Sequence, residues 1–197
     1  MKEVAINGLL KAVEDGEAFY KNILSSGKYK HYQIDLHCNT LTEPDGGNSQ
    51  DNRVAHDIPE KVKISFFRKF DTFAINNKPC LYFLVLKNHP TDLLEKFNIA
   101  KRKYIKRNFS AAKKNAPTAS EVLYIGKVKN RVGARLSTHF GYANEKTGGL
   151  QLRFWAKELN LELTIHFIAF EENIANFINP LELEITNILN PIIGKSK

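Results

Sequence analysis

A tyrosine, a lysine, an arginine and a histidine lie within one short stretch of this sequence. Tyr124 and Lys127 belong to the run Leu123-Tyr124-Ile125-Gly126-Lys127, and Arg135 and His139 follow it. We interpret the run as a strand that ends in a glycine turn and leads into a helix. On that helix Arg135 and His139 are one turn apart and share a face. Such a group of side chains can hold a phosphodiester, activate water and stabilise added negative charge.

Each of these side chains also has an ordinary structural explanation. Arg135 offers phosphate oxygens a planar, permanently charged partner, but it could equally be a solvated residue on a helix surface. A single helical histidine such as His139 is more commonly a surface or core residue than a catalytic one. Tyr82 and Tyr124 could be ordinary strand aromatics. Lys127, next to a glycine turn, could orient an anion or lower the pKa of a neighbouring tyrosine.

The elements that position these residues can be predicted from hydropathy patterns. Apolar or alternating runs predict four strands, over Lys30–Cys38, Cys80–Leu86, Glu121–Ile125 and Leu161–Phe170. Helical spacing predicts five helices, over residues 3–24, from Thr91 onwards, and over Arg131–Phe140, Leu150–Leu159 and Pro180–Leu189. Thr91 or Asp92 could cap the second of these helices. The segment Lys61–Ile75 could be helix or strand.

Composition limits the class of protein. Hydrophobic residues make up 43% of the 197 residues, including 13 Phe, which is enough for a packed core. No apolar run approaches the ~20 residues that span a bilayer, and the N-terminus lacks a hydrophobic signal core. Cys38 and Cys80 form neither a metal-ligand cluster nor a disulfide framework, so they are expected to be reduced thiols. These features predict a cytoplasmic protein without a membrane partner.

The positive charge is concentrated in one segment. The net charge is +8 and the isoelectric point about 9.4, and between Thr91 and Thr118 there are eight basic and two acidic side chains. A basic helix here would suit contacts with the phosphates of a DNA duplex, although a solvated surface helix is the alternative. The predicted DNA-binding residues are Lys101, Arg102, Lys103, Lys106, Arg107, Lys113 and Lys114.

The order of several short motifs resembles the GIY-YIG nuclease family. These are Cys80-Leu81-Tyr82, the run Tyr124-Ile125-Gly126-Lys127, Arg135 with His139, and Glu182 followed by Asn190-Pro191-Ile192-Ile193-Gly194. The resemblance covers about residues 78–195. It implies a small antiparallel-centred sheet flanked by helices, in an α/β (α+β) protein. In this interpretation residues 1–75 are an N-terminal helical or mixed extension, and residues 76–197 are the nuclease-like domain with a basic helical insert at 91–118.

The resemblance also implies roles for individual residues. Tyr82 would be the general base, its hydroxyl made more acidic by Lys127 and the metal-bound water, and Tyr124 would position the water or a phosphate oxygen. Arg135 would clamp the scissile phosphate. His139 would assist proton transfer or phosphate binding. Glu182, preferred over its neighbour Glu184, would hold one Mg²⁺ or Mn²⁺ ion per active site.

The implied function is a metal-dependent DNA endonuclease, of restriction type or serving repair or a mobile element. The two tyrosines are separated by the basic segment, whereas the family joins its two strands by a short loop. The first motif also begins with Cys80 rather than glycine. The alternatives are a catalytically idle nucleic-acid-binding module and a protein-interaction role in which the charge is incidental. One site cuts one strand, so cleavage of double-stranded DNA requires a homodimer or sequential nicks.

Overall fold

The structure is a computed structural model that describes residues 18, 21–23, 25–43, 58–68, 75–113, 120–143, 145–171 and 174–194. By its internal contacts the chain divides into two compact units, Met1–Lys30 and His31–Lys197. Most of the predicted helix over residues 3–24, and Lys114, lie outside the described residues. The predicted division between residues 75 and 76 stays a prediction.

Four antiparallel strands form the sheet of an α+β fold. They are β1 (Tyr29–His37), β2 (Cys80–Leu86), β3 (Val122–Val128) and β4 (Glu162–Phe170), in the spatial order β1-β4-β2-β3. The prediction of an antiparallel-centred sheet is therefore confirmed. The predicted strand bounds agree to within a few residues. The predicted glycine turn at Gly126 is wrong, because β3 continues through Gly126, which pairs with Tyr82, to Val128. Because β1 joins the same sheet, part of the segment predicted as an N-terminal extension belongs to the sheet itself.

Hydropathy explains which strand lies in the centre. The sequence of β2 is apolar at every position, and all but one of its side chains are buried. β4 and β3 pair with its two edges. In β4 buried and half-buried side chains alternate along most of the strand, as expected of a strand with one well-covered face. The strand that carries Tyr82 is thus the most constrained element of the sheet.

Helices lie between consecutive strands and after the last strand. They are α1 (Glu60–Val62, continued by the π-helical segment Lys63–Phe67), α2 (Leu93–Lys103), α3 (Val132–Phe140) and α4 (Ile178–Leu189). The segment Lys61–Ile75 could have been helix or strand, and α1 shows that its start is helical. Asp92 occupies the N-cap position of α2, but its side chain makes no capping hydrogen bond. Among the residues that the structure describes, no helix combines the length and apolar character needed to cross a bilayer.

The predicted helix over Leu150–Leu159 is wrong. Only Leu152–Phe154 forms a short 3₁₀ turn, and residues 155–160 are turns. Gln151 adopts a left-handed backbone conformation (φ 57°), which prevents a regular helix from starting at Leu150. Trp155 is buried and its indole N–H donates to the Leu150 carbonyl at 2.9 Å. Tertiary packing of one large side chain therefore outweighs the helical spacing of the sequence.

Candidate active site

The register of β2 and β3 places the two tyrosines on one face of the sheet. Tyr82 lies opposite Gly126, and Leu84 lies opposite Tyr124. A Cβ atom on residue 126 would lie 2.3 Å from the Tyr82 hydroxyl oxygen and 2.8 Å from Cε1 of Tyr124. Glycine is required here because the Tyr82 ring end occupies the space that any side chain would need. The glycine of the Tyr-Ile-Gly run therefore serves to seat the tyrosine of the neighbouring strand.

Replacing Gly126 with alanine is expected to push the Tyr82 ring out of its position and to lower the free energy of unfolding by about 1–3 kcal/mol. Gly148→Ala is the control, because its Cβ would come no closer than 3.4 Å to Asn108, and the change expected is within ~0.5 kcal/mol. Urea denaturation followed by circular dichroism measures both. Equal stability of the two variants would contradict the tight seating of Tyr82.

A residue that is distant in sequence caps the N-terminus of helix α3. Arg131, at the N-cap, has a left-handed backbone (φ 55°) and makes no side-chain capping bond. Instead, the side-chain oxygen of Asn76 accepts a hydrogen bond from the Gly133 N–H at 3.2 Å, and the Asn76 carbonyl accepts one from the Arg131 N–H. Gly141 ends the helix with φ 98°. Asn76 thus fixes the start of the helix that carries Arg135 and His139, and no sequence pattern pointed to it.

Arg135 and His139 meet at the hydroxyl group of Tyr82. The Tyr82 hydroxyl and Nε2 of His139 are 2.9 Å apart, and Nε of Arg135 donates to the same hydroxyl at 3.3 Å. The Tyr124 hydroxyl also interacts with Arg135 and with Tyr82. The prediction that Arg135 and His139 share a helix face is confirmed. The structure brings together four of the six predicted catalytic side chains around one phenol oxygen.

The hydrogen bonds of His139 define its tautomer. The backbone N–H of Leu150 donates to Nδ1 at 3.2 Å, so that nitrogen carries no proton. The proton of the neutral ring therefore sits on Nε2 and is donated to the Tyr82 oxygen. His139 is fully buried, and burial first and the Arg135 charge second hold its pKa well below the usual value. In this state His139 is a hydrogen-bond donor to the phenol rather than a proton acceptor.

Acid is expected to destabilise the protein through His139. Because the native pKa is lowered, the unfolded chain binds a proton that the native chain does not. Stability therefore falls as the pH drops below ~6.5, by up to about 1.4 kcal/mol per pH unit, and stops falling below the lowered native pKa. His139→Gln keeps a donor but does not titrate, so its slope between pH 7 and 5 is expected to be smaller. Urea denaturation across this range measures both proteins, and equal slopes would contradict the prediction.

Opposing influences act on the pKa values of the tyrosines and of Arg135. Burial raises the pKa of both Tyr82 and Tyr124, and the Glu182 carboxylate raises both further, whereas the Arg135 guanidinium lowers both. Lys127 was predicted to lower the pKa of Tyr82, but in this structure Arg135 is the residue that lowers it. Burial lowers the pKa of Arg135, but its interactions with the two phenols outweigh this effect and raise it. The guanidinium consequently stays charged, and the Tyr82 phenol is protonated at neutral pH.

Glu182 and Lys127 form an ion pair at the edge strand. Lys127 Nζ lies 2.5 Å from Oε2 of Glu182, and the two side chains are only 30% and 24% exposed. Glu182 projects from α4, which packs against β3. It is close enough to influence both tyrosines electrostatically. Glu184 is exposed, so the structure favours Glu182 as the carboxylate of this site.

A divalent ion would find one carboxylate here. Within the described part of the chain no group of three or more His, Cys, Asp or Glu side chains could hold a metal. Mg²⁺ nevertheless binds through one or two carboxylates, water and substrate phosphate. Glu182 fits that mode, and the ion would have to compete with Lys127 for the same oxygen. The residues present therefore suit a metal that is held jointly by the protein and by a bound phosphodiester.

The basic segment divides into an exposed part and a structural part. Lys101, Arg102 and Lys103 are exposed at the end of α2, and Lys106 is exposed in the following turn. Lys113 was predicted to lie on a helix, which is wrong: it follows an extended bridge, and its amino group donates to the Asn190 side chain at 2.8 Å. Four of the predicted DNA-binding residues are therefore presented at the surface.

Arg107 points toward the protein rather than outward. Its guanidinium lies 4.5 Å from the centre of the Phe154 ring, and its NH1 group donates to the Ala143 carbonyl and to the Gln151 side chain. Burial first and the charge of Arg153 second lower its pKa. These contacts give Arg107 a structural role, which a count of charges along the sequence could not distinguish from a phosphate contact.

Two backbone groups complete the site and were not predictable from residue type. The Gly148 carbonyl accepts a hydrogen bond from NH1 of Arg135 at 2.7 Å, and the Leu150 N–H binds His139. Both belong to the segment that follows α3.

Comparisons with family models, with curated proteins and with solved structures found no match for this chain. The function must therefore be argued from the site itself.

Proposed function

We propose that this chain is a metal-dependent endonuclease of the GIY-YIG type that hydrolyses DNA phosphodiesters. One observation carries the proposal. Arg135 binds the hydroxyl of Tyr82 beside Tyr124, and Glu182 lies close enough to raise the pKa of both phenols. A cation, two phenols and one carboxylate on an antiparallel strand pair are the groups that the resemblance requires. Their convergence is not explained by core packing, since a core would favour apolar side chains.

The resemblance implies the following reaction for these groups. Arg135 and Tyr124 bind the non-bridging oxygens of the scissile phosphate and orient a water molecule. Tyr82, as the phenolate, takes a proton from that water while the water oxygen forms a bond to phosphorus. The bond from phosphorus to the 3′ oxygen breaks, and the leaving oxygen takes a proton from solvent. Arg135 stabilises the added negative charge of the transition state because it is already fixed in place.

The metal ion and the hydrogen-bond donors have separate tasks. Held by Glu182, a bound Mg²⁺ or Mn²⁺ ion would neutralise the charge that develops on the leaving oxygen. Arg135 and the Nε2–H of His139 both donate to the Tyr82 oxygen and therefore favour its phenolate form. If the Glu182 carboxylate bound a cation instead of Lys127, it would raise the pKa values of Tyr82 and Tyr124 by less.

The exposed basic residues supply affinity for DNA. Lys101, Arg102, Lys103 and Lys106 form a patch at the end of α2 and in the turn after it. Contacts of this kind hold phosphates and make binding dependent on salt, with a slope of about 0.9 per neutralised phosphate in a plot of log affinity against log salt. They position a duplex but do not read its bases.

The test is cleavage of supercoiled plasmid in the presence of Mg²⁺ or Mn²⁺. Wild type is expected to nick the plasmid with metal and to be inactive with EDTA. Glu182→Gln is expected to lose most of this activity, on the order of 10²-fold or more. Glu184→Gln is the matched control, since it removes an exposed carboxylate two positions away on the same helix.

The alternatives give different results in the same assay. A catalytically idle nucleic-acid-binding module would bind the plasmid with a steep salt dependence and never nick it with any divalent ion. A protein-interaction role would show no DNA binding even at low salt. Equal loss of activity in the Glu182 and Glu184 variants would argue against Glu182 as the metal ligand. Sequencing the ends of the digested plasmid would separate a restriction-type enzyme from one with no site preference.

A further inference from the structure

The basic insert between β2 and β3 also contacts the active site. Residues 108–110 lie alongside the segment 145–150 that follows α3. The Asn108 N–H donates to the Glu145 carbonyl at 2.7 Å, the Gly149 N–H donates to the Asn108 carbonyl at 3.2 Å, and the Ser110 N–H donates to the Gly149 carbonyl at 2.8 Å. Phe109 and Gly149 form a parallel bridge. The insert and the segment after α3 are thus joined by a short ladder of backbone hydrogen bonds.

The same segment holds the two functional side chains of α3. The carbonyl of Gly148 accepts the NH1 hydrogen bond of Arg135 at 2.7 Å, and the N–H of Leu150 binds Nδ1 of His139. Asn108 touches this segment a third time, because its side-chain amide donates to the Lys146 carbonyl at 3.4 Å. Its side chain also lies against Gly148. The position of the Gly148 carbonyl therefore depends on the insert.

The insert is itself anchored to the rest of the fold. Phe109 is buried, and its ring packs edge-on against Phe97 of α2 at 5.8 Å between centroids. On the other side, residue 149 has no room for a side chain, since a Cβ there would lie 2.8 Å from the Thr138 carbonyl oxygen of α3. The segment 145–150 is consequently held between α3 and the insert, with Gly149 in contact with both.

We propose that the insert holds Arg135 in its reactive orientation, and that Asn108 is the positioning residue through which it does so. This inference rests on the proposed nuclease function. It assigns the insert a second task besides contact with DNA. The exposed lysines and arginine of the insert precede Asn108 by only a few residues, so the part of the chain that contacts DNA continues directly into the part that supports the catalytic arginine.

The test compares Asn108→Ala with Ser110→Ala. Asn108→Ala removes the side-chain contacts with Lys146 and Gly148, and it is expected to lower kcat for plasmid nicking about tenfold, the effect of one hydrogen bond, with KM within twofold of wild type. Ser110→Ala is the matched control, because Ser110 contributes its backbone N–H to the ladder, and kcat is expected to stay unchanged. Gly149→Ala, which must push the segment off α3, is expected to lower kcat on the order of 10²-fold.

A double-mutant cycle separates positioning of Arg135 from general loss of structure. In an Arg135→Lys background, Asn108→Ala is expected to have almost no further effect, because the group it positions is gone. Multiplicative loss in the double variant, or a change in KM rather than kcat, would overturn the proposal.

A second readout does not depend on cleavage. The ¹⁵N resonance of the Arg135 Nε–H group, identified by its absence in Arg135→Lys, is expected to shift or broaden in Asn108→Ala and to be unchanged in Ser110→Ala. An unchanged signal in Asn108→Ala would overturn the positioning role even in an active enzyme. A changed signal in a protein that never cleaves DNA would retain the positioning role and overturn only the proposed nuclease function.

Discussion

Replacing Arg135 with alanine is expected to lower kcat for plasmid nicking by about 10³-fold or more while DNA binding is kept. Loss of one fixed donor to a transition-state charge costs about 10²–10³-fold, and loss of a catalytic arginine in phosphoryl transfer costs 10³–10⁵-fold. Arg135 uses Nε on the Tyr82 hydroxyl and NH1 on the Gly148 carbonyl. Together with the interaction with Tyr124, these bonds use only part of its five N–H donors, so the guanidinium is fixed before the substrate binds and still has donors for phosphate.

Arg135→Lys sharpens the same experiment. Lysine keeps the charge but cannot reproduce the planar arrangement that reaches Tyr82 and Gly148 together, so activity is expected to remain on the order of 10²-fold below wild type. Arg68→Ala is the control: it removes an exposed arginine paired with Glu60, which is expected to change neither activity nor stability by much. Single-turnover rates at saturating enzyme measure the chemical step. Wild-type rates in Arg135→Ala would exclude a role of this residue in the transition state.

The elements of the site that were predictable are those with strong local patterns. The run Cys80–Leu86 is apolar throughout, and its predicted bounds coincide with those of β2. The apolar spacing in 131–140 identified α3, because Leu136 and Phe140 face the core and Arg135 and His139 share another face. The period of the hydrophobic pattern predicts whether such a segment is helix or strand, because it reflects which side chains must be buried.

What the sequence could not predict depends on contacts between distant parts of the chain. Asn76 caps α3 from 57 positions away, and the carbonyl of Gly148 binds Arg135 through a backbone atom that every residue possesses. The sequence also does not predict in which direction a charged side chain points. Arg107 belongs to the same basic run as the exposed Arg102, yet it stacks on Phe154. Residue type and spacing identify chemical groups, whereas tertiary packing decides where each group points.

The arrangement also explains how a long insert is tolerated between two strands that the resemblance joins by a short loop. Loop-closure entropy rises only slowly with length, and here part of that cost is offset by ordered contacts. Ala112 pairs with Ile193, and the N–H of Gly194 donates to the Ala111 carbonyl. The returning part of the insert is thus held against the C-terminal segment. The described residues of the insert, 91–113, are an integral part of the fold rather than an appendage at the tip of a hairpin.

Replacing Tyr82 with phenylalanine is expected to lower kcat by about 10²–10⁴-fold, the contribution of a general base, and to change the pH dependence of the reaction. Burial raises the pKa of Tyr82 above that of an ordinary phenol, and Arg135 opposes this shift only partly. Below that pKa the phenolate fraction rises tenfold per pH unit. The logarithm of kcat in wild type is therefore expected to rise with a slope near one from neutral pH to about pH 9.

Tyr82→Phe separates proton transfer from packing. The phenyl ring still fills the buried space over Gly126, but the Nε2–H of His139 loses its acceptor, at a cost of about 1–3 kcal/mol in stability. Circular dichroism and urea denaturation establish that the variant is folded, and Tyr124→Phe is compared in parallel because Tyr124 is predicted to position water rather than to accept its proton. If Tyr82 is the base, the residual activity of Tyr82→Phe is flat between pH 7 and 9, while Tyr124→Phe keeps the rising profile. A rising profile in Tyr82→Phe would assign the proton transfer to another group and leave Tyr82 as the residue that orients Arg135 and His139.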